Sequence, residues 1–250
     1  MNVGLFGGTF DPIHRGHLAV ARAARERFDL GRILFVPASI PPHKRDLDIT
    51  SYAHRYAMVS LAVSGEKTFI PSDIESPEKL GDTPSYTIDT VKRLKQQLKK
   101  ADRLFFLIGM DAFADIAKWR EPEALLRETD FIVMARPGYS LADVGDALPA
   151  KLRPDPQVSK ALKAHPATGD IVLPGATLHL LSETHEKISA TQIRAAARSG
   201  SKLDSLVGPA VAEYIRKTGL YKASQGKAEP ETTVPQQKAV KQQHYPARRK

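Results

Sequence analysis

Six short apolar runs alternate with longer stretches whose apolar residues recur every three or four positions. The runs NVGLF (2–6), RILFVP (32–37), TFIPSDI (68–74), RLFFLIG (103–109), DFIVMARP (130–137) and TLHLL (177–181) predict strands. The stretches at 17–28, 52–63, 87–98, 121–128, 191–200 and 208–219 predict helices. In the first helix Leu18, Val20, Ala21, Ala24 and Phe28 gather on one side and charged residues on the other. Strand–helix alternation predicts an α/β fold with a doubly wound, mostly parallel sheet and helices on both faces. The strands are almost continuously apolar, as strands covered on both sides are. In such sheets ligands bind beyond the carboxyl ends of the strands, where the order reverses. Residues just after each strand are therefore the candidates for function.

Two regions break the alternation. Residues 138–170 read as an irregular insertion with a short helix near 156–164. Residues 223–250 are rich in Gln, Lys and Pro, poor in large apolar side chains and without a period. Such a segment buries too little surface to offset its ordering entropy and reads as a disordered basic tail after a domain of residues 1–222. The tail carries six Lys/Arg against two Glu, so it holds +4 of the chain's formal +9. A net positive charge attracts anions such as nucleotides or nucleic acid. There is no cysteine among the 250 residues, which excludes disulfides and thiolate metal sites and fits a cytoplasmic protein. No run approaches the roughly 20 apolar residues of a membrane helix, and the opening MNVGLF lacks the basic start of a signal peptide.

The string GGTFDPIHRGH (7–17) follows the first strand and opens the first helix. Gly7 and Gly8 permit a sharp turn and close approach to a ligand. A helix N-terminus offers unpaired N–H groups and a partial positive charge, both suited to phosphate. His14 and His17 flank that opening. A plain strand-to-helix turn would look similar without the histidines. Zinc would need a third ligand, and the loop offers no further histidine or cysteine. A second candidate anion site is KISATQIR (187–194), where Ser189 caps a helix, Thr191 lies in its first turn and Arg194 projects from the same end.

GGTFDPIHRGH resembles the GxFDPxHxGH signature of the nucleotidylyltransferase superfamily, which is related to the HIGH motif of class I aminoacyl-tRNA synthetases. ISATQIR resembles that superfamily's ISSTxIR string, with Ala190 where serine is commonest. The resemblance implies a Rossmann-like fold. It places ATP on Gly7, Gly8, Thr9, Phe10, Ser189, Thr191 and Arg194, with His17 at the α-phosphate and His14 assisting; Asp11 and Pro12 shape the turn. Four later strings, each after a strand, resemble markers of the bacterial nicotinate-nucleotide adenylyltransferases: PPHK (41–44), SYTIDT (85–90), the IGxDxxxxxxxW pattern (108–119) and ARPG (135–138). The likeness runs from about Val3 to Tyr221.

That family implies ATP and nicotinate mononucleotide as substrates, with Mg²⁺ bridging the ATP phosphates rather than held by protein ligands. It implies Gly109 and Asp111 beside ribose and adenine, and Trp119 stacked on the pyridine. Tyr86 and Thr87 would meet the nicotinate carboxylate, Arg136 the mononucleotide phosphate, and Lys44 the anions generally. His14, His17, Lys44 and Arg194 would neutralise charge as an acceptor phosphate attacks ATP without a covalent intermediate. Arg55, on the polar side of the helix at 52–63, reads as structural or peripheral. Two neighbours in the same fold stay open, with nicotinamide mononucleotide or phosphopantetheine as acceptor. The phosphopantetheine enzymes usually carry threonine at the position of His14 and lack the tryptophan loop. A nucleic-acid-binding module fits the pI of 9.6 but not the scattered placement of the basic residues.

Overall fold

The computed structural model describes residues 1–41, 48–136, 138–155, 157, 160, 169–182 and 188–222. Seven strands form one sheet in the order β3-β2-β1-β4-β5-β7-β6. They are β1 (Asn2–Gly8), β2 (Leu30–Pro37), β3 (Phe69–Pro71), β4 (Arg103–Gly109), β5 (Asp130–Met134), β6 (Asp170–Leu173) and β7 (Ala176–Leu181). Pairing is parallel throughout except between β6 and β7. The chain winds outward from β1 to β3, returns to the centre at β4, and winds outward the other way. The order reverses between β1 and β4, so a ligand crevice is expected beyond their carboxyl ends.

Alternate strand residues feed two separate cores. Val3, Leu5, Leu34, Val36, Phe106, Ile108, Phe131 and Val133 pack into one. Phe6, Ile33, Phe35, Phe105, Leu107, Ile132 and Met134 pack into the other. This period of two, apolar on both sides, is why the strands read as unbroken apolar runs. Helices α4 (Thr87–Gln97) and α6 (Pro122–Glu128) cover the first face. Helices α1 (Arg15–Arg27), α2 (Tyr52–Val63), α8 (Ala190–Arg198) and α10 (Pro209–Thr218) cover the second. Shorter helices are α3 (Pro77–Leu80), α5 (Met110–Phe113), α7 (Val144–Ala147) and α9 (Asp204–Val207). No helix among the described residues is long and apolar enough to cross a membrane.

Several expectations change. Gly7 and Gly8 lie inside β1, paired with Val36 and Pro37, rather than in a turn after it. The left-handed residue of that loop is Phe10, at φ 49°. The strand expected over 68–74 keeps only Phe69–Pro71, and the one over 130–137 stops at Met134. The insertion is less irregular than its composition suggests. Leu141, Val144, Leu148 and Leu152 are buried against the first core, and 3₁₀ turns flank α7. It leads into β6, which begins at Asp170 and folds back on β7 as a hairpin through Gly175 at φ 97°. Most of the helix expected near 156–164 lies outside the described residues, as does all of 223–250.

Candidate active site

The crevice is present. A cleft of ≈ 980 Å³ opens across the carboxyl ends of β1, β2 and β4. Its wall includes Gly7, Gly8, Thr9, Phe10, His14, His17, Tyr86, Thr87, Gly109, Asp111, Trp119, Arg136, Ser189 and Arg194, gathered from loops up to about 190 residues apart. Thr191 is exposed and does not line the cleft; its hydroxyl accepts from Arg194 at 3.3 Å. Lys44 and its neighbours from 42 to 47 lie outside the described residues.

On the β1 side the loop is shaped by packing. Phe10 is buried, with its ring edge-on to Phe6 and His17. A Cβ on Gly8 would stand 3.0 Å from that ring. A side chain at position 8 would therefore crowd the Phe10 ring, which would have to give by a few tenths of an ångström. His14 caps α1 with an extended backbone, and its N–H donates to Nδ1 of His17 at 3.2 Å. With Nδ1 of His17 accepting, the proton of the neutral ring resides on Nε2. The two imidazoles lie ring over ring, centroids 3.7 Å apart. Burial and then the Arg136 charge push the pKa of His14 down to about 4. Burial, His14 and Arg136, in that order, hold His17 well below its ordinary value. Both are neutral hydrogen-bonding groups at pH 7 before an anion arrives.

Across the cleft, Ser189 accepts from the Gln192 N–H at 3.3 Å while Gln192 accepts from the Ser189 N–H at 3.0 Å, a reciprocal cap at the start of α8. Arg194, one turn on, donates to the carbonyl of Asp11 at 2.8 Å, closing the α8 side onto the β1 loop. The Asp11 carboxylate is shared between the Tyr221 hydroxyl at 2.6 Å and the Thr50 N–H at 3.2 Å. Asp11 thus joins three segments and is committed to structure.

At the other end of the cleft, Trp119 is half-buried against Phe106 and follows a 3₁₀ turn over Ile116–Lys118. Tyr86 caps α4, whose first turn carries one acidic residue, Asp89. Arg120 lies over the Tyr86 ring, 4.7 Å from its centroid, and is 3.5 Å from Asp89. Arg136 stands 3.6 Å from Asp111. A Cβ on Gly109 would meet Asp111 at 2.3 Å and Arg136 at 2.8 Å, so a side chain there would push these two groups away from the end of β4.

Glu75, Ser85, Arg120 and Tyr221 escaped the sequence reading. Glu75 is buried in the wall of the cleft and accepts from the Thr90 hydroxyl at 2.5 Å. Burial pushes its pKa up, against the hydrogen bonds of Thr90 and Ser85. Its position after β3 was the available signal, since that loop belongs to the ligand end of the sheet. Arg55 is not peripheral: it is 1 % exposed.

A family model described as cytidylyltransferase-like matches residues 5–196, which sets the domain among the nucleotidyltransferases. Relatives named probable nicotinate-nucleotide adenylyltransferase occur in Geotalea uraniireducens, 38 % identical over 223 residues, and in Pseudomonas paraeruginosa, 39 % identical over 224. Each alignment covers 88 % of this chain, with 98 % and 97 % of the respective relative. The chain belongs to the nicotinate-nucleotide adenylyltransferase family. In fold it is similar to a nicotinic acid mononucleotide adenylyltransferase of Plasmodium falciparum solved with APC, at a TM-score of 0.62 and 20 % identity, over 88 % of this chain and 96 % of that one. The same Plasmodium protein solved with NaAD gives a TM-score of 0.61, over 88 % and 97 %.

Proposed function

We propose that this protein transfers the adenylyl group of ATP to nicotinate mononucleotide, giving nicotinate adenine dinucleotide and pyrophosphate, a step of NAD biosynthesis. The observation that carries the reading is the single cleft in which the stacked His14–His17 pair, the capped start of α8 and the Trp119–Tyr86 end all meet. A phosphate oxygen of the mononucleotide attacks the α-phosphorus in line. The bond to the bridging oxygen of the β-phosphate breaks, and pyrophosphate leaves with that oxygen. No side chain forms a covalent bond to substrate. The protein positions the reactants and stabilises charge as it builds on the phosphates.

In this assignment His17 donates to the α-phosphate and His14 to a neighbouring phosphate oxygen. Gly7, Gly8, Thr9 and Phe10 shape the floor beneath ATP. Ser189 and Arg194 grip the phosphates from α8, with Thr191 supporting Arg194, and Lys44 adds a further cation. Gly109 and Asp111 receive the ribose and adenine end of ATP. Trp119 stacks on the pyridine, Tyr86 and Thr87 take the carboxylate, and Arg136 takes the mononucleotide phosphate. Mg²⁺ enters with the ATP phosphates as part of the substrate, where it offsets their charge. Among the described residues no three His, Asp or Glu side chains group to hold a metal by themselves. A cytoplasmic location belongs to the same reading, supported by a cysteine-free chain that needs no oxidising compartment.

The start of α4 favours a carboxylate over a neutral amide, because its free N–H groups carry partial positive charge. Catalytic efficiency should therefore be at least about tenfold higher with nicotinate than with nicotinamide mononucleotide. Pyrophosphate release measured with each acceptor tests this, with phosphopantetheine as a third. Equal rates on the two mononucleotides would remove the assigned role of the α4 terminus.

A further inference from the structure

Arg55 is among the largest fully buried side chains of the protein. Its Nε donates to the Thr50 carbonyl at 2.8 Å. One terminal nitrogen donates to the carbonyls of Thr9 at 2.8 Å and Ala38 at 2.7 Å. The other donates to the Ser39 carbonyl at 3.2 Å. The acceptors are four main-chain carbonyls rather than a carboxylate, and they come from three segments: the loop after β1, the loop after β2 and the lead-in to α2. A buried charge is costly unless its donors are satisfied, so the guanidinium and these three segments constrain one another. Only arginine carries five N–H donors in a planar fork.

The line of hydrogen bonds continues. The Ser39 N–H donates to the Ser85 hydroxyl at 3.0 Å. Ser85 in turn bonds Glu75, which accepts from Thr90 in the first turn of α4. Beneath the cleft, an unbroken path thus runs from Thr9, on the proposed phosphate side, to the residues that start α4, on the proposed acceptor side. Thr9, Ala38, Glu75, Ser85 and Thr90 all line the cleft, whereas Arg55 stands behind it.

We propose that Arg55 is a positioning residue for adenylyl transfer, the four-way staple that sets the phosphate side of the cleft against the acceptor side. The inference rests on the adenylyl-transfer reading. Arg55 does not line the cleft, so each substrate still binds its own side when the staple is altered. What suffers is the alignment of acceptor oxygen with phosphorus, to which rate is steeply sensitive. The loss therefore falls on kcat and not on KM.

The test compares the full chain with R55K and R55M, using ATP and nicotinate mononucleotide and following pyrophosphate. Assays are run well below the lowest thermal midpoint, on protein shown folded by circular dichroism. Turnover by the unaltered chain is required first; its absence would sink the underlying reading whatever Arg55 does. The expected result is a fall in kcat of about 30-fold or more in R55K, with both KM values within about threefold. Lysine keeps the charge but not the fork, so kcat restored by lysine would overturn the proposal. A lowered thermal midpoint with kcat retained, or a raised KM with kcat retained, would do so as well. If neither variant folds, S85A interrupts the same path at its next link. Its kcat should fall about fivefold or more at unchanged KM for ATP, and an unchanged kcat would refute the staple.

Discussion

His14 and His17 lie ring over ring at the first turn of α1, their centroids 3.7 Å apart and their planes inclined by 31°. Two imidazolium charges at that separation would repel strongly in a buried site. Burial, reinforced by the Arg136 charge, keeps both rings neutral before substrate binding, and the first prediction follows from it. The pKa of His14 falls from the ordinary 6.5 to about 4 on folding. Between those values the unfolded chain binds a proton that the folded chain refuses, so stability rises with pH through this window. The contribution of His14 is complete above about pH 6.5 and is lost as pH falls toward 4, worth up to about 3 kcal/mol. The thermal midpoint of the free protein should drop more steeply from pH 6.5 to 4.5 than that of His14→Gln. Parallel curves would contradict the assignment.

His17 is the proposed donor to the α-phosphate. His17→Ala should lower kcat by about 10²- to 10³-fold, the usual loss for one donor at a developing oxyanion. The same substitution removes the acceptor of the His14 N–H, a single hydrogen bond worth about 1 kcal/mol. Circular dichroism and thermal melting should show a folded protein. Near-normal turnover would mean that the phosphate loop is misassigned.

Glu75 titrates in the opposite sense to His14. Burial raises its pKa above the ordinary 4.5, so the folded chain holds a proton that the unfolded chain has released. Stability is therefore highest below the ordinary value and declines as pH rises through the folded one. Glu75→Gln keeps an oxygen to accept from Thr90 and cannot ionise. Its thermal midpoint should exceed that of the parent at pH 8 and approach it at pH 4. Glu75→Ala, by contrast, leaves two hydroxyls without their acceptor and should destabilise by about 1–3 kcal/mol at either pH.

The Tyr221 hydroxyl donates to Asp11 across 210 residues of sequence. Tyr221→Phe leaves a carboxylate oxygen short of a partner and should cost about 1–3 kcal/mol, read as a lower denaturation midpoint. We propose that the catalytic domain ends at residue 222. Removal of residues 224–250 should accordingly leave turnover within about twofold. Loss of the chemistry on that truncation would falsify the boundary.

The motifs were legible because their chemistry is local. His14 and His17 are three apart on one turn, and Ser189 stands where its own helix needs a cap. The parallel strands were legible because both cores impose apolar residues at successive positions. What the chain hid were groups whose meaning depends on distant partners. Arg55 is the clearest case. Arg55, Met58, Val59 and Val63 form the buried stripe of α2, the spacing of an apolar face, yet a charge at its head reads as polar surface. Nothing near it in sequence reveals that Thr9 and Ala38 supply carbonyls. Likewise β6, with only Ile171 and Leu173 turned inward and Val172 outward, is too short and too polar at its start to announce a strand until β7 offers it an edge.

The Asp11 junction has a bearing on how the protein comes into being. The loop after β1 is made long before its partners: the Asp11 carbonyl waits for Arg194 and its carboxylate for Tyr221. Domains begin to organise from the amino end while the ribosome is still at work. Here the nascent chain can pair β1 with β2 early, yet the Asp11 junction stays unfinished until Tyr221, beyond α10, has been made. Competence waits for Tyr221, and a chain cut short before it lacks the clasp that completes the Asp11 junction.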